Sequence, residues 1–157
     1  MKIGVLHGPN LNLLGTREPT LYGTVTLAEI DERVARLGGD LGVEVLAFQS
    51  NHEGELLDWV HGAGPESAGF VVNAGAYTHT SVALLDALRG VGRPFVEVHL
   101  TNTLARAEVR RHSVLAEHAV GVIAGFGARS YELGLRALID YLRESTSGPA
   151  GPMPGGG

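Results

Sequence analysis

Apolar positions along this chain fall into two alternating periods. Lys2–His7 is a short apolar run that reads as a strand. Leu27, Ile30, Val34, Leu37 and Leu41 then recur at 3-4-3-4 spacing, one face of a helix. Thr26 with Glu29 supplies a capping box at its start. Residues 43–48 form a second strand. Ser50 with Glu53 reads as a second capping box, opening a helix that reaches Val60. Residues 69–73 are a third strand and 81–88 a third helix. Residues 94–99 are a fourth strand, 105–112 a short basic helix and 120–126 a fifth strand. Tyr131, Leu135, Leu138 and Leu142 mark the last helix.

Strands alternating with helices predict an α/β fold with a parallel sheet covered on both faces. Five β/α units suggest the flavodoxin-like order 2-1-3-4-5. The ends of strands one, three and four then converge, and ligands in such sheets bind outside the carboxyl ends of the strands. One catalytic domain is expected over residues 1–144. Residues 145–157 are Gly, Pro and Ser-rich, cannot bury apolar area, and are expected to be disordered.

The strand ends carry an unusual density of polar groups. Asn73, Gly75, Thr78 and His79 follow the third strand, and Glu97, His99, Thr101 and Asn102 end the fourth. Glu97 and His99 are two apart on a strand and point to one face, while Val96 and Val98 point to the other. A carboxylate inside a covered strand costs several kcal/mol unless paired. Glu97 therefore needs a partner, and His99 or a neighbouring polar group is the obvious candidate. A carboxylate beside an imidazole fixes its tautomer and favours its protonated form, as a general acid requires. The plainer alternative is a structural Glu–His pair plugging the sheet end.

Residues 8–23 form a long loop beginning at the same sheet edge, and loops of that length in compact domains usually carry function or are disordered. Arg17 and Tyr22 lie five apart in it. Tyrosine, with a pKa near 10, is a poor base at neutral pH unless an opposite charge stabilises its phenolate. Arg17 can supply that charge. Equally, Tyr22 can pack on the loop while Arg17 pairs with Glu18. Asp86 falls among Val82, Leu85 and Leu88 and reads as solvated. Arg106 and Arg110, sharing a face if the basic segment is helical, offer guanidinium groups for a carboxylate ligand.

Composition narrows the classes. The 157 residues suit one domain with a sizeable core. A formal charge of −5 without a basic run argues against nucleic acid. The lack of Cys removes thiol nucleophiles and thiolate metal sites. His79, His99 and Glu97 lack the spacing of a metal motif. The N-terminal apolar run is too short for a signal peptide, and no stretch nears the roughly 18 residues of a membrane span. A cytoplasmic protein is expected.

Six motifs in order give a more specific reading. They are Gly8-Pro9-Asn10-Leu11-Asn12; Arg17-Glu18-Pro19 with Tyr22-Gly23; and Gln49-Ser50-Asn51-His52-Glu53-Gly54. Asn73-Ala74-Gly75-Ala76-Tyr77-Thr78-His79-Thr80-Ser81, Glu97-Val98-His99 and Arg110-Arg111-His112-Ser113 follow. Together they resemble the type II 3-dehydroquinate dehydratase family, from residue 2 to about residue 143. The resemblance implies anti elimination of water from 3-dehydroquinate to 3-dehydroshikimate through an enolate-like intermediate, without cofactor or Schiff base. The only lysine is Lys2, at the start of the first strand. The resemblance makes Tyr22 the base, Arg17 its partner, His99 the acid oriented by Glu97, and Asn10 the holder of a water at the enolate. Asn73, His79, Leu100, Thr101 and Arg110 match substrate-binding positions. Asp86 matches a residue inserted by a neighbouring subunit, against the solvated reading, in a dodecamer built as a tetramer of trimers. Family members commonly have Ser where this chain has Thr101.

Two other classes compete. A flavodoxin-like binding module would not need a base, an acid and an Arg clamp at one edge. A serine hydrolase would need a Gly-x-Ser-x-Gly elbow, which the sequence lacks.

Overall fold

The computed structural model describes residues 1–16, 20 and 23–147. Five parallel strands stand in the order β2-β1-β3-β4-β5. They are β1 (Lys2–His7), β2 (Glu44–Gln49), β3 (Gly69–Asn73), β4 (Phe95–His99) and β5 (Gly121–Ala124). Helices α1 (Leu27–Asp40), α2 (Glu53–Ala63), α3 (Val82–Gly90) and α4 (Arg129–Ser147) connect and cover them. The expected topology is the one observed.

Alternation along the central strands sends side chains into two separate layers. Ile3, Val5, Val71, Val96 and Val98 meet Ile30 and Val34 of α1 and Leu135, Leu138 and Ile139 of α4. Leu6, Phe70, Val72 and Phe95 meet Leu56 and Val60 of α2 and Leu84 and Leu88 of α3. Strands β1, β3 and β4 are thus buried on both sides, which explains their near-continuous apolar sequence.

The first capping box forms as expected. Glu29 N donates to Thr26 Oγ1 at 3.2 Å, and Thr26 N donates to Glu29 Oε2 at 2.7 Å. The Thr26 backbone and hydroxyl bonds hold the Glu29 carboxyl below its usual range. The second box does not form. His52 occupies the N-cap of α2. Ser50 Oγ accepts from His52 N and donates to Glu55, while Glu53 turns to the hydroxyl of Ser81. Ser81 in turn caps α3 by accepting from Leu84 N at 2.9 Å. Glu53 therefore ties two helix starts together instead of closing its own.

The basic helix expected over residues 105–112 is also absent. Two single 3-10 turns, Thr103–Ala105 and Glu108–Arg110, replace it. The segment has no apolar stripe to bury, and Val109 is 75% exposed, so packing gives a longer helix nothing to rest on. At the other end, α4 continues to Ser147, past the expected start of the tail at residue 145. Ser145, Thr146 and Ser147 each donate a hydroxyl hydrogen bond to a carbonyl in the preceding turn. The expected disorder of residues 148–157 lies outside the described residues.

Two glycines allow close approach. A Cβ on Gly8 would collide with the backbone of Ala74. A Cβ on Gly134 would lie 2.5 Å from Val98 Cγ1, where α4 rests on β4. Gly134→Val should therefore overpack that contact and cost about 1–3 kcal/mol. Thermal unfolding checks this, and an unchanged Tm would contradict the packing described.

Candidate active site

The reversal of strand order between β1 and β3 opens a crevice at the carboxyl ends of the strands. A pocket of about 110 Å³ lies there. Asn10, Asn73, His79, His99, Arg106 and Arg110 give its polar wall, and Leu11 and Leu14 are among its apolar residues.

His99 comes from the end of β4 and is almost fully buried. Its Nε2 lies 2.5 Å from Glu97 Oε1. A carboxylate can only accept, so Nε2 carries a proton. The second Glu97 oxygen accepts from Ser113 Oγ at 2.8 Å. Glu97 is buried and both its oxygens are occupied, which satisfies a charge that would otherwise be costly.

His79 lies at the end of the 3-10 turn Gly75–His79 after β3. Its Nδ1 is 2.6 Å from the carbonyl of His112 and must donate to it. Val114 N donates to Thr78 O at 2.9 Å. These two bonds fasten the segment carrying Arg110 against the β3 loop.

Asn10 adopts a left-handed conformation, with φ 66°, which Asn tolerates better than most residues. Its N–H donates to Asn51 Oδ1 at 2.9 Å. Gln49 Nε2 donates to the same Asn51 oxygen and to Gly8 O, and Tyr77 Oη donates to Asn51 O. The Gln49–Asn51 motif thus holds the β1 loop.

Thr101 lies beside the pocket, in an adjoining depression that Gly23 also lines. Its Oγ1 accepts from Arg106 Nε at 2.9 Å. Among the candidates, then, Asn10, Asn73, His79, His99, Leu100 and Arg110 share one pocket wall. Glu97 stands behind His99, and Thr101 stands at the edge. Asp86 is exposed on α3 and does not line the pocket. Arg17, Glu18 and Tyr22 lie outside the described residues.

The family model described as dehydroquinase class II matches residues 1–139. The chain belongs to the class II dehydroquinase family. A relative from Carboxydothermus hydrogenoformans named 3-dehydroquinate dehydratase is 55% identical, over 96% of this chain and 99% of its own. One of the same name from Bordetella avium is 57% identical, over 87% and 96%. The solved type II dehydroquinase of Propionibacterium acnes superposes with TM-score 0.84 at 41% identity, over 88% and 96%. That of Butyrivibrio crossotus gives 0.86 at 38%, over 88% and 97%.

Ser113 has no role in the sequence reading, although it ends the motif Arg110-Arg111-His112-Ser113. A buried carboxylate has two oxygens to satisfy, and His99 can serve only one of them. That count was the available signal. Ser113→Ala should leave Glu97 Oε2 without its donor and lower stability by about 1–3 kcal/mol. Ser67 is a built-in control, because its buried hydroxyl has no hydrogen-bond partner among the described residues. Ser67→Ala should change Tm little. Equal shifts for the two variants in thermal melts would contradict the role given to Ser113.

Proposed function

We propose that the chain removes water from 3-dehydroquinate to give 3-dehydroshikimate, in the shikimate pathway of aromatic amino-acid biosynthesis. It does so by acid–base elimination, as a cytoplasmic homo-oligomer, with no metal or cofactor. The observation that carries this is the buried Glu97–His99 pair, which presents an imidazole to a pocket walled by amides and guanidinium groups. More than half the residues matched are identical in relatives that bear the enzyme's name.

The substrate is a β-hydroxy ketone, so its C2–H bond is acidified by the carbonyl. Tyr22, as a phenolate supported by Arg17, takes that proton. The electron pair moves toward the ketone oxygen as an enolate, which a water held by Asn10 stabilises. The enolate then collapses to expel the hydroxyl, and His99 supplies the proton with which it leaves as water. Glu97 orients the imidazole throughout. Asn73 and His79 bind substrate hydroxyls, and Leu100, Thr101 and Arg110 take up the polar groups at the β4 side. The described flanks of the Arg17–Tyr22 segment support this assembly: Leu14 lines the pocket and Gly23 the adjoining depression.

Mixing the protein with 3-dehydroquinate after exhaustive dialysis against chelator should generate the ultraviolet absorbance of a conjugated enone. No signal, or one that appears only when a divalent ion is restored, would overturn the proposal. Tyr22→Phe and His99→Ala should each lower kcat about 10²–10⁴-fold, the usual worth of a positioned base or acid. Arg17→Ala should match Tyr22→Phe in rate. It should also move the basic-group limb of the pH profile upward, because the phenolate loses its cation. Near-normal kcat in Tyr22→Phe would reassign the base, with His79 next.

Asp86, exposed in the single chain, completes a neighbour's pocket in this reading, within a dodecamer of four trimers. Inactive Asp86→Ala chains mixed with inactive Tyr22→Phe chains should regain activity in hybrid oligomers. Proven mixing without recovery would count against a shared site.

A further inference from the structure

We infer that Ser113 is a positioning residue for the acid. Its hydroxyl holds Glu97 as an acceptor only, which commits His99 Nε2 to Glu97 and leaves Nδ1 to face the pocket and deliver the proton. The inference rests on the proposed activity only in taking His99 as the acid.

Ser113 reaches Glu97 because its neighbours are pinned. Glu97 shares the face of β4 that carries Phe95, toward α2 and α3. Leu115, fully buried, packs into that same layer. The His112 carbonyl accepts from His79 Nδ1 at 2.6 Å, and Val114 N donates to Thr78 O at 2.9 Å. Residues 112, 114 and 115 are therefore fixed on both sides of Ser113. Its hydroxyl is brought to 2.8 Å from Glu97 Oε2.

The direction of each bond follows from groups that can act in only one way. Leu115 N and Ala116 N both lie 3.1 Å from Ser113 Oγ, and a backbone N–H can only donate. They take the two lone pairs of the hydroxyl, so its single proton goes to Glu97 Oε2. The other carboxylate oxygen, Oε1, faces His99 Nε2 at 2.5 Å. A donor at Oε2 stabilises the charged carboxylate, and so places the proton of that short contact on Nε2. His99 lines the pocket, and Nδ1 is the ring nitrogen left to meet a ligand there. When Nδ1 gives its proton to the leaving hydroxyl, the imidazolium becomes a neutral imidazole that keeps Nε2–H. Glu97 stays charged, and no second proton moves. Without the Ser113 hydroxyl the carboxylate is free to turn, and its charge concentrates on Oε1.

Nitrogen-15 NMR on the unliganded full-length protein reads this arrangement without substrate. The His99 ring signals, assigned by their loss in His99→Ala, should show a proton on Nε2 that is far downfield and slow to exchange with solvent. Ser113→Ala should move that proton resonance further downfield, because Glu97 no longer shares its charge with a second donor. Ser113→Thr keeps the hydroxyl and should restore the resonance. With 3-dehydroquinate, Ser113→Ala should lower kcat about tenfold, the worth of one hydrogen bond to a charged group, and leave KM within about twofold. Ser113→Thr should regain most of that rate. In a Glu97→Ala background, Ser113→Ala should cost no further kcat, since Ser113 acts only through Glu97. A purely structural Ser113 would lower Tm and leave kcat and the Nε2 resonance unmoved, which would overturn the inference. Equal losses of kcat in both backgrounds, or a His99 with Nε2 bare, would overturn it too. If Ser113→Ala fails to fold, Ser113→Cys, a weaker donor of similar size, gives the same readouts. An Nε2 proton that responds to Ser113 in a protein producing no enone would sink the proposed activity and leave the arrangement intact.

Discussion

A carboxylate buried in a parallel sheet must find donors, and Glu97 finds them in His99 and Ser113. Much of the site follows from that requirement. Ser113 cannot reach Glu97 unless the chain after β4 folds back over the sheet end. Folding back brings residues 103–113 across the crevice as two short turns, with Arg106 and Arg110 on the pocket wall. His79 and Thr78 then fasten the returning segment to the β3 loop through the His112 carbonyl and the Val114 amide. The guanidinium groups stand where they do because a charge elsewhere had to be satisfied.

The sheet itself contributes a division of labour. Its two faces are packed by different helix pairs, and the pocket draws on both. His99 belongs to the α2/α3 side with Phe95, whereas Asn73 belongs to the α1/α4 side with Val71. Only the end of the sheet exposes side chains of both parities to one ligand. The close backbone approach of Gly8 and Ala74 keeps the ends of β1 and β3 together there. A side chain at residue 8 would part them.

The strand order and the helix on Leu27, Ile30, Val34 and Leu37 could be read from the chain, because long periodic segments outweigh local competition. So could the pairing of Glu97 with His99, since a period of two leaves little freedom. Two kinds of feature were not legible. The helix expected over 105–112 fails because backbone propensity cannot substitute for an apolar face. The Ser50–Glu53 box fails because Glu53 has a better partner in Ser81, 28 residues away, which no local pattern reveals. The hydrogen bonds from His7 of β1 to Asp31 of α1 and Tyr131 of α4 were invisible for the same reason: each residue reads locally as ordinary, and only the packing of both helices on the sheet brings them together. Arg17 and Tyr22 stood out as a cation and a phenol in one loop, only the resemblance decided between their two readings, and their placement lies outside the described residues.

Asn10 shows how backbone geometry narrows chemistry. At φ 66° the position is open in practice to glycine, asparagine and aspartate. Glycine would accept the turn and leave the pocket without a donor. Aspartate would accept it and, under the proposed function, set a negative charge across from an anionic substrate. Asparagine alone combines the turn with an uncharged donor and acceptor. Under the proposed function the residue's identity is determined twice, once by the peptide chain and once by what the pocket must hold, and selection for either requirement would look the same in the sequence.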